Sequence, residues 1–125
     1  EFTDPGSGRL MAAALNENFA LITSANGVRR GTGIAQIYAN GLGPVTNTPP
    51  SGEPAPSQPL ATCRVQPEVT IGGRAVAVQF CGLAPGFVGL YQLNVSVPAD
   101  APTGVQPLVI RVGGVVSKTS AIAVQ

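Results

Sequence analysis

From residue 68 onward the chain never travels far without meeting a glycine or a proline. Five apolar segments, 68–71, 75–81, 89–97, 107–112 and 120–124, are punctuated by Gly72-Gly73, Ala84-Pro85-Gly86, the stretch 98–104 and Gly113-Gly114. This punctuation constrains the fold more than any other feature, because Pro fixes φ and lacks a backbone donor while Gly favours turns. None of the segments reaches the ~12 residues at which a helix becomes self-supporting. Short strands at regular spacing between turns specify an all-β sandwich or barrel, here of about seven to eight strands. Alternation assigns their faces. Tyr91, Leu93, Val95 and Val97 share one side and Leu90, Gln92, Asn94 and Ser96 the other; Val76, Val78, Phe80, Leu108, Ile110, Val112, Ile122 and Val124 complete the expected core.

The first third is less regular. Residues 9–23 read as a short hairpin around Asn16-Glu17-Asn18, and 34–39 as a strand closed by Gly41-Leu42-Gly43. Residues 44–59 hold six prolines in sixteen positions and almost no apolar side chain, which predicts a solvated, polyproline-like surface loop over 44–61. At 125 residues one domain is expected. Residues 1–8 are assigned to a tail or linker and 9–125 to that single unit.

Cys63 and Cys81 flank the Gly72-Gly73 turn signal. With a two-residue turn there, residues whose numbers sum to about 145 face each other across the hairpin. The cysteines fall one short of that register, so a single bulge, which Pro67 would provoke, brings them opposite one another. A disulfide closing this loop is worth roughly 3 kcal/mol on the chain-entropy argument. Such a bond points to an oxidising compartment. Residues 1–20 lack the charged start and apolar stretch of a signal peptide, and no run of 18 apolar residues occurs. The expectation is a piece of a longer exported protein, located outside the cell or at its surface.

Composition matters most for what it excludes. There is no His and no Trp, and the net charge is +1. The commonest general base and metal ligand are therefore missing, and nothing resembles an electrostatic footprint for nucleic acid. Glu1, Asp4, Glu17, Glu53, Glu68 and Asp100 are scattered along the chain, and no CxxC occurs to build a zinc or redox site. No catalytic residue, cofactor or metal is expected. With Phe80 and Tyr91 assigned to the core, Phe87 in its Pro-Gly loop and Tyr38 are the candidate exposed aromatics. Gln92 and Asn94, on the polar side of strand 89–97, are the candidate hydrogen-bonding contacts.

Several of these segments also occur together in a known pattern. The runs Ile37-Tyr38-Ala39-Asn40-Gly41-Leu42-Gly43-Pro44-Val45, Val69-Thr70-Ile71-Gly72-Gly73, Gly82-Leu83-Ala84-Pro85-Gly86-Phe87-Val88-Gly89-Leu90-Tyr91-Gln92-Leu93-Asn94-Val95, Val97-Pro98 and Gly113-Gly114-Val115 resemble the Solibacter-type uncharacterised C-terminal domain family of acidobacterial exported proteins. The resemblance spans 13–125, and the block 82–95 is its most specific part. More loosely, the order of turns and strands looks like the IPT/TIG class of immunoglobulin-like domains. The resemblance implies an immunoglobulin-like β-sandwich with no catalytic residues to carry over. Residues and resemblance together lead us to expect a non-catalytic module acting as structural spacer, protein contact or adhesion element. Its partners would be neighbouring domains of the same chain, other proteins or polysaccharide, without nucleic acid or membrane insertion. The competing expectation is a carbohydrate-binding module using a loop aromatic and a polar sheet face.

Overall fold

The computed structural model describes residues 2–3, 8, 10–39, 62–84, 90–116 and 120–125; the expected loop at 44–61 and Phe87 lie outside them. Among the described residues every regular element is a strand: β1 (Phe2–Thr3), β2 (Leu10–Met11), β3 (Ala14–Leu15), β4 (Ile34–Ala39), β5 (Glu68–Ile71), β6 (Arg74–Leu83), β7 (Tyr91–Ser96), β8 (Gly104–Val112), β9 (Val115–Val116) and β10 (Ser120–Val124). β10, β8, β5, β6, β7, β4 and β3 hydrogen-bond in that order into one antiparallel sheet, with β9 beside the far end of β8 and β1 paired to β2. The all-β expectation holds, and the sheet curls nearly into a barrel. Phe2–Thr3, read from sequence as part of a tail, takes the β1 position opposite β2.

The sheet bends at β6. Its first residues pair with β5 in the register Val69↔Val76, Thr70↔Ala75 and Ile71↔Arg74. From Ala77 onward it pairs with β7 instead. Gly72 (φ 60°) and Gly73 (φ 80°) form the tight turn into β6, both in the left-handed region where other residues are strained. Further along, Thr62 lies opposite Gly82, and the Cys63 amide donates to the Cys81 carbonyl at 2.8 Å. The hairpin register has therefore slipped by one residue, taken up within 64–68 around Pro67. The slip aligns the cysteines, which form the expected disulfide with Cα atoms 5.3 Å apart.

A second irregularity was not foreseen. On its β7 side β6 shifts register between Val78 and Phe80, leaving Gln79 as an extra residue. A bulge reverses which face each later side chain takes. Val78 lies opposite buried Val95, but Phe80 lies opposite half-buried Asn94 and Cys81 opposite buried Leu93. Phe80, assigned to the core from strict alternation, thus belongs to the outer face, and Cys81 and Leu83 point inward in its place.

The other side of the sheet closes through two N-terminal segments. The Ala12 amide donates to Ala121 of β10 at 2.8 Å, while β3, two residues further on, pairs with β4. Residues 28–30 run parallel to the end of β10, with Val28 donating to Ala123 and Gln125 donating back to Val28. The chain then crosses to β7: Gly31 donates to Val97, Val97 to Gly33, and β4 follows along β7. The crossing includes a tight turn in which the Gly33 amide donates to the Arg29 carbonyl at 2.9 Å. A Cβ at Gly33 would strike that carbonyl and lie 2.7 Å from the Arg29 nitrogen, so only glycine fits. The expected hairpin of 9–23 is present in short form. Leu15 bridges Leu21, and Asn16 Oδ1 accepts the amides of Asn18 and Ala20 across the turn.

One apolar cluster fills the interior. Val69, Ile71, Leu108, Ile110 and Ile122 meet Ala35, Ile37, Leu93, Val95 and Val97 there, so the β5–β8–β10 part of the sheet faces the β4–β7 part. Val76, Val78, Tyr91 and Val112 pack half-buried against it. Met11, Ile22 and Val28, in the segments least readable as strands, are among the most deeply buried side chains.

Candidate functional site

The outer face of β4, β7 and β6 assembles most of the residues that sequence marked as contacts. Pairing places Gln36 beside Asn94 and Tyr38 beside Gln92, all four pointing away from the core. The β6 bulge adds Phe80 on the far side of Asn94, and Gly82 lies beside Gln92. Gln36 is nearly buried at 7 % exposure, whereas Tyr38, Phe80, Gln92 and Asn94 are half-buried.

The three amides form a connected network. Gln92 Nε2 donates to Gln36 Oε1 at 3.2 Å and to Asn94 Oδ1 at 3.0 Å. Gln36 Nε2 in turn donates to the Asn16 carbonyl at 2.9 Å, tying the face to the N-terminal hairpin. These bonds fix the rotamers of all three side chains. Among the described residues the Gln92 carbonyl and the Asn94 amino group take no part in these bonds, which leaves the network an acceptor and a donor there. Taking ~4.8 Å between strands and ~3.4 Å per residue along them, Phe80 and Tyr38 stand about 12 Å apart, diagonally across the amides. The fourth contact expected from sequence, Phe87, lies outside the described residues.

Sequence reasoning missed Phe80 and Gln36. For Phe80 a signal existed: Val76 and Val78 are apolar at even positions and Cys81 and Leu83 at odd ones, a change of parity that only an inserted residue reconciles. Gln36 had been visible only as the polar member of an alternating strand.

A second feature is a polar cleft of about 390 Å³ beside the N-terminal hairpin, lined in part by Asn16, Glu17, Asn18, Arg29 and Thr32. Its carboxylate has a structural task, since Glu17 Oε1 accepts the Ile34 amide at 3.0 Å and thereby holds the start of β4. Asp100 pairs with exposed Arg74 at 2.6 Å next to the β5–β6 turn, and exposed Glu68 lies opposite Arg111 between β5 and β8. Among the described residues no three His, Cys, Asp or Glu side chains gather where they could hold a metal ion. No helix among them is long and apolar enough to cross a membrane.

No family model matches the chain, and neither the curated proteins nor the solved structures contain a significant match to it.

Proposed function

We propose that this chain is a non-catalytic, immunoglobulin-like module of a larger exported bacterial protein, serving as a structural spacer and protein-contact element. The observation that carries the reading is the use to which polar side chains are put. Glu17 holds β4, Gln36 holds the N-terminal hairpin and Asp100 pairs with Arg74, so these groups serve the frame. The sandwich assignment is supported by β6, which passes from β5 to β7 along its length and so divides the sheet into two facing parts. Export is supported by the Cys63–Cys81 disulfide. The resemblance to the Solibacter-type C-terminal domains agrees with both. Apolar side chains available for contact stand at the β8–β9 hairpin, where Val115 and Val116 are exposed.

The test uses the full-length protein in cells that produce it. Thiol labelling of fractionated cells is expected to find the protein outside the cytoplasm, with Cys63 and Cys81 labelled only after reduction. Exchanging the module for an unrelated β-domain of similar size should alter assembly or display and leave turnover at any active site elsewhere in the protein unchanged. Free thiols in a cytoplasmic fraction, or a turnover lost with the module, would overturn the reading.

A further inference from the structure

We propose that the outer face of β6, β7 and β4 binds a neutral polysaccharide, held between Phe80 and Tyr38 across the Gln36–Gln92–Asn94 amides. The inference is independent of the spacer reading, because a scaffold module and a free-standing domain would bind by the same face. Three observations carry it.

The first is charge. The paired positions on this face hold amides, a Ser, Ile34, two aromatics and small residues, and no Asp, Glu, Lys or Arg. An anionic or cationic partner would lose its hydration here without meeting a counter-charge, which is unfavourable. A neutral ligand has no such penalty. The second is the mixture of groups. Sugar rings present apolar C–H faces and hydroxyl edges, each hydroxyl both donor and acceptor. Phe80 and Tyr38 offer flat apolar surfaces. Between them the Gln92 carbonyl, the Asn94 amino group and the Ser96 hydroxyl offer acceptors and donors, on an amide network already fixed by its own bonds. Fixing these rotamers before binding lowers the entropic cost of using them. The third is spacing. Two aromatic residues whose backbone positions lie about 12 Å apart are spaced more widely than one sugar ring, so the matching ligand is a chain of sugars. A protein partner fits less well, since stable protein interfaces centre on a continuous apolar core and here the aromatics are separated by amides.

The experiment records backbone-amide NMR shifts of the intact, oxidised chain titrated with soluble β-glucan, xylan and galactomannan, with polygalacturonate as the anionic comparison. Retention in gels containing the same polymers supplies affinities. Shifts are expected to cluster on 34–38, 77–82 and 92–96 with one of the neutral polymers. Retention should persist to about 1 M salt, where charge interactions beyond about 3 Å are screened. Phe80→Ala and Tyr38→Ala should each weaken binding by about tenfold, Tyr38→Phe should retain most of it, and Arg29→Ala in the cleft should leave it unchanged. The proposal fails if no neutral polymer shifts these amides, or if shifts gather around 16–32 instead. It fails equally if binding occurs only with polygalacturonate and vanishes with salt, or if folded Phe80→Ala and Tyr38→Ala variants bind as the parent does. Unglycosylated protein that shifts the face while every polysaccharide leaves it unmoved would also overturn it, and would make the face a protein contact.

Discussion

At the β6 corner the sheet is held by a covalent bond from β6 to the segment that leads into β5, whereas at the N-terminal seam it is held by backbone hydrogen bonds from two segments that each change partner midway. The corner absorbs irregularity. It carries a slipped hairpin register and the Gln79 bulge, and the Cys63–Cys81 bond keeps both in place. The seam has no such tolerance, because residues 28–33 must leave β10, turn within one i→i+4 hydrogen bond and reach Val97. A corner of this kind is stabilised chiefly by restricting the unfolded chain, and a seam by the fit of the folded one. The two should therefore respond differently to substitution.

The largest effect is expected from Gly33→Ala. The added methyl meets backbone atoms of Arg29, which cannot swing aside as the end of a side chain would. Overpacking together with loss of the Gly33–Arg29 and Val97–Gly33 bonds should cost about 4 kcal/mol. Urea unfolding of the oxidised protein measures it. Hydrogen exchange should show protection at Val28 and Gln125 lost first, while Cys63 and Gly82 keep theirs. A variant whose stability matches the parent would show that the seam can relax, and the contrast with the corner would disappear.

Next comes the double substitution Cys63→Ala and Cys81→Ala. The cysteines are 18 positions apart in sequence, for which chain entropy predicts a loss of about 3 kcal/mol. Here exchange should quicken at Thr62, at position 63 and at Gly82 before Val28 is affected. Both substitutions lowering protection uniformly would mean that corner and seam open as one unit, which would make them a single closure.

The same contrast explains what could be read from sequence. The corner was legible because its signals are local: Gly72-Gly73 specified the turn, and counting outward from it placed Cys63 within one residue of Cys81. β4, β5 and β10 were found with their observed limits for the same reason, each being a short alternating or apolar run between turn residues. The bulge was hidden because Val76, Val78 and Phe80 keep a perfect alternation, and the parity change appears only when Cys81 and Leu83 are weighed as inward residues. The seam was illegible because most of its bonds join residues far apart in sequence, and Val28 sits alone between Gly27 and Arg29 with no period to mark it as buried. The candidate face followed suit. Alternation set Gln92 and Asn94 on one side of their strand, as the β7 pairing does; Tyr38, expected as an exposed aromatic by elimination, stands half-buried beside Gln92, and Phe80 joined them only through the bulge.

The smallest effect, of opposite sign, is expected at Phe19 in the hairpin turn of the seam. Its φ of 63° is unusual for an aromatic residue, and its side chain is 71 % exposed. The turn is imposed from outside the residue: Asn16 accepts the amides of Asn18 and Ala20, and its carbonyl takes both the Phe19 amide and Gln36 Nε2. A left-handed conformation costs an ordinary residue about 1–2 kcal/mol, and glycine escapes that strain while losing about 0.5–1 kcal/mol more chain entropy on folding. Phe19→Gly should therefore gain about 0.5 kcal/mol, seen as a small rise in urea midpoint at unchanged slope. Because little of the Phe19 ring is buried, almost no packing is lost to offset the gain. A destabilised variant would mean that the ring contributes to the hairpin despite its exposure. A stabilised one would show that the seam, unlike the corner, still holds strain that a single substitution can remove.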